Sequence, residues 1–254
     1  MACRKTENFQ DWVYELLPED VTDLLQDGAE ILGEGAHAIA YLVKWGNDVA
    51  VLKKAVSLSA KKFFKDEAAK MYALDGAGGI PKVLGYCPKP PAILQSFRGK
   101  LTLNHLLSED NLICQYDLIQ LGLLLGEKIL EMNTKGLAHN DIKEDNIMIQ
   151  GPSSRPEVSL IDLGLACEIG KSCKVSADCL HEDFPWMAPE VCRGFRTTKN
   201  SDTYSFGFVL MELIKEAPGD HPEVTKLAKK AMTKRRTDRP SLPHLLREFR
   251  EIIS

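Results

Sequence analysis

Nowhere in the 254 residues does an apolar run reach the roughly 18 residues of a membrane span. The longest candidate, LIQLGLLLGEKIL at 118–130, is broken by charge and glycine. The N-terminal MACRKTENFQDWVYELLPEDV carries no apolar core of signal-peptide length. Neither a membrane span nor export is therefore expected. A cysteine framework is missing too. The seven cysteines, at 3, 87, 114, 167, 173, 179 and 192, are an odd number with no CxxC pair and no histidines at zinc-ligand spacing. That pattern points to a reduced, intracellular and most simply cytoplasmic setting. A surplus of positive charge is also lacking, since 32 Lys and Arg face 36 Asp and Glu for a net charge of -4. No global basic field exists to hold nucleic acid or an anionic membrane, and any phosphate chemistry must use local charge. Internal repeats and low-complexity tracts are absent, which leaves out arrays and long disordered linkers.

What is present suits one large domain or two lobes with a real core, at 44% hydrophobic residues. The texture changes near residue 96. Before it, short β-type runs dominate: AEILGEG, AIAYLVKW and DVAVLKKAV, with WGND as a hairpin turn between the last two. One helix interrupts them, SAKKFFKDEAAKMYALDG, with Ser59 as its expected cap and Gly76 as its terminator. After residue 97 the pattern is mainly helical. YDLIQLGLLLGEKILEM is apolar almost all round, and SLPHLLREFREII is amphipathic through Leu245, Phe249 and Ile252. The expected division is residues 1–28 as a helical extension, 29–96 as a small β-rich lobe and 97–254 as a larger helical lobe. The extension is expected either to dock back on the small lobe or to recruit a partner.

The stretch LAHNDIKEDNIMI, 137–149, crowds charged and amide side chains between apolar flanks. Inside a core these groups would be costly unless they bind something, so a loop beside a ligand is the cheaper reading. About twenty residues on, VSLIDLGLA ends an apolar β run on Asp162 and meets Gly164, which suits a metal-ligating carboxylate held by a strand end. Upstream, LGEGAHAIAYLV sets Gly33 and Gly35 and then alanines between β runs, where backbone N–H groups can approach a phosphate chain. In DVAVLKK, strand alternation puts Val49, Val51 and Lys53 on one face. Glu67 falls within the apolar stripe of Phe64, Met71 and Leu74, so an inward lysine and an inward glutamate suggest an ion pair that holds an amine toward phosphate oxygens.

Taken in order, the glycine loop, strand lysine, helix glutamate, HxDxKxxN, DxG, APE, DxxSFG and a late arginine resemble the eukaryotic protein kinases from about residue 29 onward. The resemblance implies an α+β, bilobal protein-kinase-like fold, with ATP and Mg2+ as cofactors and a protein as substrate. Lys53 and Glu67 match the strand and helix ion pair, with Lys54 as the one-residue alternative. Asp141 matches the base that orients the substrate hydroxyl, His139 and Lys143 match its loop, and Asn146 and Asp162 match the magnesium ligands. Nucleotide contacts carry over to Leu32, Gly33, Glu34, Gly35, Ala40, Val51, Lys53, Gln95, Phe97 and Met148, with Gln95 at the gatekeeper position of a hinge in AILQSFRGKLTL. Glu190 is expected to pair with Arg239, and Asp202 to tether the catalytic loop.

Departures from the pattern carry expectations of their own. Asn140 replaces the arginine that binds an activation-loop phosphate in many kinases, a non-RD pattern that implies little dependence on phosphorylation there. Leu163 stands for phenylalanine in DLG and Ala38 for a third glycine. Asp183, where a threonine is common, is expected either to pair with Lys143 or to repel substrate. Only residues 203–238 separate Asp202 from Arg239, which leaves little room for the usual extra helix. Cys167, Cys173 and Cys179 lie six apart, which invites a redox switch, but three cysteines in one loop are more often inert. Lys143 favours Ser/Thr over Tyr substrates, although FPWMAPE also suits the intermediate group. Two other readings remain: a pseudokinase scaffold, and a small-molecule kinase, against which APE, DxxSFG and Lys143 argue.

Overall fold

The computed structural model describes residues 14–35, 37–173 and 181–254. Met1 to Val13, Ala36, Ser176 and Cys179 lie outside the described residues. The chain divides into two units, Met1–Gly76 with Pro81–Phe97 and Ala77–Ile80 with Arg98–Ser254.

The first unit is a six-stranded sheet. Its strands are β1 (Tyr14–Glu15), β2 (Glu30–Glu34), β3 (Ala38–Trp45), β4 (Asp48–Ala55), β5 (Val83–Pro88) and β6 (Pro91–Ser96), in the order β1-β5-β6-β4-β3-β2. All neighbours are antiparallel except β1 and β5. The β3–β4 hairpin runs in unbroken register from Ala38↔Ala55 to Trp45↔Asp48, and Gly46, at φ +61°, begins the two-residue turn where a side chain would be strained. Strand β4 is central and buried on both faces through Ala50, Val51 and Leu52. Val49 departs from the expected buried face. It lies near the hairpin end and is exposed.

Helix α1 (Pro18–Gln26) covers one face of this sheet and α2 (Lys61–Leu74) the other. Leu16 and Val21 are 1% exposed in a cluster with Val43, Ala50, Leu52 and Leu94, and Leu16 N–H donates to Tyr86 O at 3.0 Å. Residues 14–26 are therefore part of the unit's core, and their first residues add a strand where helix alone was expected. The α2 boundaries also differ from expectation. A 3-10 turn, Leu58–Ala60, precedes the helix and is capped by Ser57, which accepts from Ser59 N–H; the α2 N-cap is Ala60, which has no side-chain cap, so Ser59 does not take the expected role. At the other end Asp75 already takes the left-handed conformation, at φ 45°, before Gly76 follows it.

The second unit is mainly helical. Its helices are α3 (Leu103–Ser108), α4 (Asp110–Ile113), α5 (Leu118–Thr134), α6 (Pro189–Cys192), α7 (Lys199–Glu216), α8 (Pro222–Ala231) and α9 (Leu242–Ile253). Five short strands accompany them: β7 (Leu101–Thr102), β8 (Leu137–Ala138), β9 (Ile147–Gln150), β10 (Glu157–Leu160) and β11 (Cys167–Glu168). They form a three-stranded sheet, β10-β9-β7, and a pair, β11-β8. Helix α5 packs against α7 and α9 through its two glycines. A Cβ on Gly122 would come 2.7 Å from Leu210, and one on Gly126 2.5 Å from Leu246. Between α7 and α8 lie residues 217–221 only, so the shortened stretch noted in the sequence holds no further helix.

Gly207 marks the tightest backbone crossing of α7 and α8. An added Cβ would meet Ala228 O and Ala231 Cβ, each at 2.7 Å. Because one neighbour is backbone, relief requires the helices to separate, and Gly207→Ala is expected to cost about 1–3 kcal/mol of stability. Urea denaturation checks this, and an unchanged midpoint would show that the crossing yields freely. The architecture is α+β: a small six-stranded unit with two helices, and a larger helical unit.

Candidate catalytic site

In the first unit the strand register gathers the expected nucleotide residues. Gly33 pairs with Ala40, Ala40 with Lys53, and Val51 with Gln95, so these side chains share one face of the sheet, the face that α2 covers. Neither Gly33 nor Gly35 has positive φ; a Cβ on Gly33 would meet nothing within 4 Å, and one on Gly35 would lie 3.6 Å from Ala38 O, to which Gly35 N–H donates at 2.8 Å. Leu32 sits at a register shift in β2, half-buried, and Glu34 beside it is exposed. Phe97 follows the end of β6.

Lys53 Nζ donates to Glu67 Oε1 at 2.7 Å and lies 6.0 Å from the Phe64 ring. Glu67 is 5% exposed, so a carboxylate that α2 carries into the apolar stripe is held by this cation. Lys54 pairs in register with Ala92 on the opposite face, which decides between the two lysines geometrically.

In the second unit, the loop after β8 is pinned from below by a buried carboxylate. Asp202, fully buried on α7, accepts from His139 N–H and Asn140 N–H at 2.9 Å each and from Asn133 Nδ2 at 2.8 Å. Those bonds hold Asn140 at φ 65°, a left-handed turn that asparagine tolerates. The turn sends the chain to Asp141. One Asp141 oxygen, Oδ2, accepts from Asn146 Nδ2 at 2.9 Å, and Oδ1 accepts from Trp186 Nε1 at 2.8 Å. Asn146 O in turn accepts from Ile161 N–H at 3.0 Å, which sets Asn146 beside the residue preceding Asp162. Asp162 is exposed at φ 64°, with Oδ1 accepting from Gly164 N–H at 3.1 Å. Met148 is buried on β9 opposite Thr102.

Several side chains nearby stand apart from expectation. Asp183 is exposed, and Lys143 lies instead over the Trp186 ring, 4.9 Å from its centroid. Asn140 is 2% exposed, and its side chain is used inside the unit: Nδ2 donates to Leu165 O at 3.1 Å and Oδ1 accepts from Thr197 Oγ1 at 2.9 Å. Burial raises the Glu144 carboxyl above the usual range, and Glu212 and Asp145 push it further. Cys173 Sγ lies 3.1 Å from Leu165 O and Cys167 Sγ 3.8 Å from Lys171 O.

The anchor that follows is closed by a forked ion pair. Arg239 donates to both Glu190 oxygens, at 2.9 and 3.1 Å, with its guanidinium 5.1 Å from the Tyr204 ring. Both residues are buried, and Ser201 Oγ adds a bond to Glu190 Oε1 at 3.0 Å. The residue that sequence reasoning missed is Trp186. It was read only as part of FPWMAPE, and its contact with Asp141 spans 45 positions of chain.

A six-stranded sheet with a Lys–Glu pair, followed by a helical unit with an Asp–Asn loop and a buried Glu–Arg anchor, is the arrangement that the order of motifs anticipates. The sequence profile of the protein tyrosine and serine/threonine kinase family matches residues 28–254. The chain belongs to the protein kinase family. It is 28% identical over 219 residues to the serine/threonine-protein kinase pakB of Dictyostelium discoideum, covering 81% of this chain and 24% of that protein. It is 26% identical over 194 residues to human mitogen-activated protein kinase kinase kinase 7, covering 73% of this chain and 30% of that one. A probable inactive receptor kinase of Arabidopsis thaliana is 29% identical over 205 residues, with 77% of this chain and 30% of its own length covered. The chain thus spans about a quarter to a third of the length of these relatives. No helix among the described residues is long and apolar enough to cross a membrane.

Proposed function

We propose that the chain transfers the γ-phosphoryl group of Mg-ATP to a serine or threonine hydroxyl of an intracellular protein. The observation that carries this reading is the Asp141 carboxylate, fixed by Asn146 on a loop that Asp202 pins from beneath. Phosphoryl transfer asks for positioning and charge neutralisation more than for covalent chemistry. Asp141 orients the hydroxyl and accepts its proton. Lys53, kept aligned by Glu67, engages the phosphates, and Gly33, Glu34 and Gly35 form the loop that the resemblance assigns to them. The resemblance assigns Leu32, Ala40, Val51, Gln95 and Phe97 of the first unit, and Met148 of the second, to the nucleotide base.

The donor set fits magnesium. Asn146 spends its amide nitrogen on Asp141, which leaves the amide oxygen as a hard ligand, and its backbone carbonyl accepts from Ile161, the residue before Asp162. Among the described residues no three His, Cys, Asp or Glu side chains gather as a metal site. Magnesium is held by one or two protein oxygens together with phosphates and water. When bound, the ion neutralises charge on the phosphate oxygens. Asn146 and Asp162 would hold it.

Serine or threonine is favoured by Lys143 and by the similarity to the serine/threonine-protein kinase pakB. The enclosed Asn140 side chain supports the non-RD reading, because its amide is committed to Leu165 and Thr197. Alanine at both Ser172 and Ser176 is accordingly expected to leave turnover within about twofold of wild type, where a dependent enzyme would lose orders of magnitude. A large loss in a phosphotransfer assay would refute it. The pseudokinase reading is favoured by one observation, the Trp186 indole resting on an Asp141 oxygen. Transfer of labelled γ-phosphate from Mg-ATP to the protein itself and to generic protein substrates, with the modified residue identified, separates the readings. Label on serine or threonine supports the proposal. Label on tyrosine keeps the enzyme and discards the substrate class. No label from folded protein favours the scaffold.

A further inference from the structure

The Trp186 side chain lies where the reacting hydroxyl would be activated, yet nothing in the order of motifs gives it a task. Its indole Nε1 donates to Asp141 Oδ1 at 2.8 Å, and its ring face holds Lys143 Nζ at 4.9 Å. One side chain thus touches both the anion and the cation of the loop. The ring is itself fixed from behind. Phe184 stacks on it edge to face at 5.7 Å and 80°, and it packs on the cluster of Met187, Ala188, Val191 and Tyr204.

Building on the proposed phosphoryl transfer, we infer that Trp186 is a positioning residue, which fixes the Asp141 carboxylate through its indole N–H and holds the Lys143 ammonium over its ring. A carboxylate rotates about its Cβ–Cγ bond unless both oxygens are held. Asn146 takes Oδ2 and Trp186 takes Oδ1, so the plane of the group is set by two donors on opposite sides. A carboxylate offers about four acceptor sites, and the two donors use two of them. The remaining lone pairs can receive a substrate hydroxyl in a fixed direction. The indole N–H is donor only and cannot take the proton, so it orients the base without competing for its function. Lys143 gains a second restraint, since a cation over an indole face is held electrostatically while its N–H groups remain available to a phosphoryl oxygen. Asp183 cannot substitute for this contact, because an ionised carboxylate is an acceptor with nothing to donate to Asp141.

The test is Trp186→Phe, which keeps an aromatic face for Lys143 and removes only the donor. The expected result is a kcat lowered about 10- to 100-fold, the cost of a misaligned base, with KM for ATP unchanged within about twofold and the melting temperature near wild type. Wild-type turnover in the variant would overturn the inference and leave Trp186 as packing alone. A raised kcat would overturn it in the other direction, marking the indole as a cover on the base. A folded wild type that transfers no phosphoryl group would remove the enzymatic reading and this role together, whereas the first two outcomes leave that reading intact.

A second readout needs no turnover. Trp12, Trp45 and Trp186 give three indole N–H resonances, which single phenylalanine variants assign. The Trp186 signal is expected to move on Asp141→Asn, as its charged acceptor is lost, while the other two hold position. An unmoved Trp186 signal overturns the inference even where Trp186→Phe is poorly folded.

Discussion

Asp141→Asn lowers phosphoryl transfer by about 10²- to 10⁴-fold, the range associated with a positioned general base. The substitution keeps the shape of the side chain, so the loss reports chemistry and not collapse. Its local cost can be traced. Asp141 accepts on both oxygens, from Asn146 Nδ2 and from Trp186 Nε1. An asparagine offers one oxygen and one amide nitrogen, so one of these donors then faces another donor. The site is half-buried and the displaced donor can reach water, so the stability change should stay within about 1–2 kcal/mol. Labelled phosphate transfer and a thermal melt on the same preparation separate the two effects. Full turnover in the variant would remove Asp141 from the mechanism. The effect of Trp186→Phe should also shrink in the Asp141→Asn background, because groups that share one hydrogen bond are not additive.

Asp202→Ala has the largest expected effect on the fold. Asp202 is fully buried and satisfies two backbone N–H groups and one side-chain amide. Alanine leaves the N–H groups of His139 and Asn140 without an acceptor, at about 1–3 kcal/mol each. Part of this is offset because a buried charge is removed. A net loss of about 2–4 kcal/mol is expected, a large share of a domain's stability of about 5–15 kcal/mol. The loss should reach function as well. Asn140 holds its left-handed turn, at φ 65°, by donating to Asp202 Oδ1, and Asp141 is the next residue. Variant protein that remains folded should therefore show lowered kcat. Urea denaturation with matched kinetics checks both, and a wild-type midpoint would show that water or rearrangement replaces the carboxylate.

These effects bear on how the family's motifs divide their work. Glu190 with Arg239, and Asp202 with the loop backbone, are buried and touch only protein. Asp162 is exposed and Asp141 half-buried. The buried set holds shape, and the open set is the one that the proposed phosphoryl transfer assigns to ligand.

By itself the sequence determined the α+β character, the β3–β4 hairpin and the buried helix α5, because alternation, turn residues and an all-round apolar run are local signals. It also settled the inward direction of Glu67, since helical register with Phe64 and Met71 is read along one element. Tertiary structure alone decided what depends on neighbours distant in the chain. Val49 alternates correctly yet is exposed, because alternation sets a residue's face and not what covers it. Lys53 was chosen over Lys54 by the face that α2 covers. Residues 14–26 entered the core by pairing with β5, some seventy positions away, which composition cannot register. Trp186 met Asp141 across a fold in the chain, and no periodicity within either segment encodes that contact.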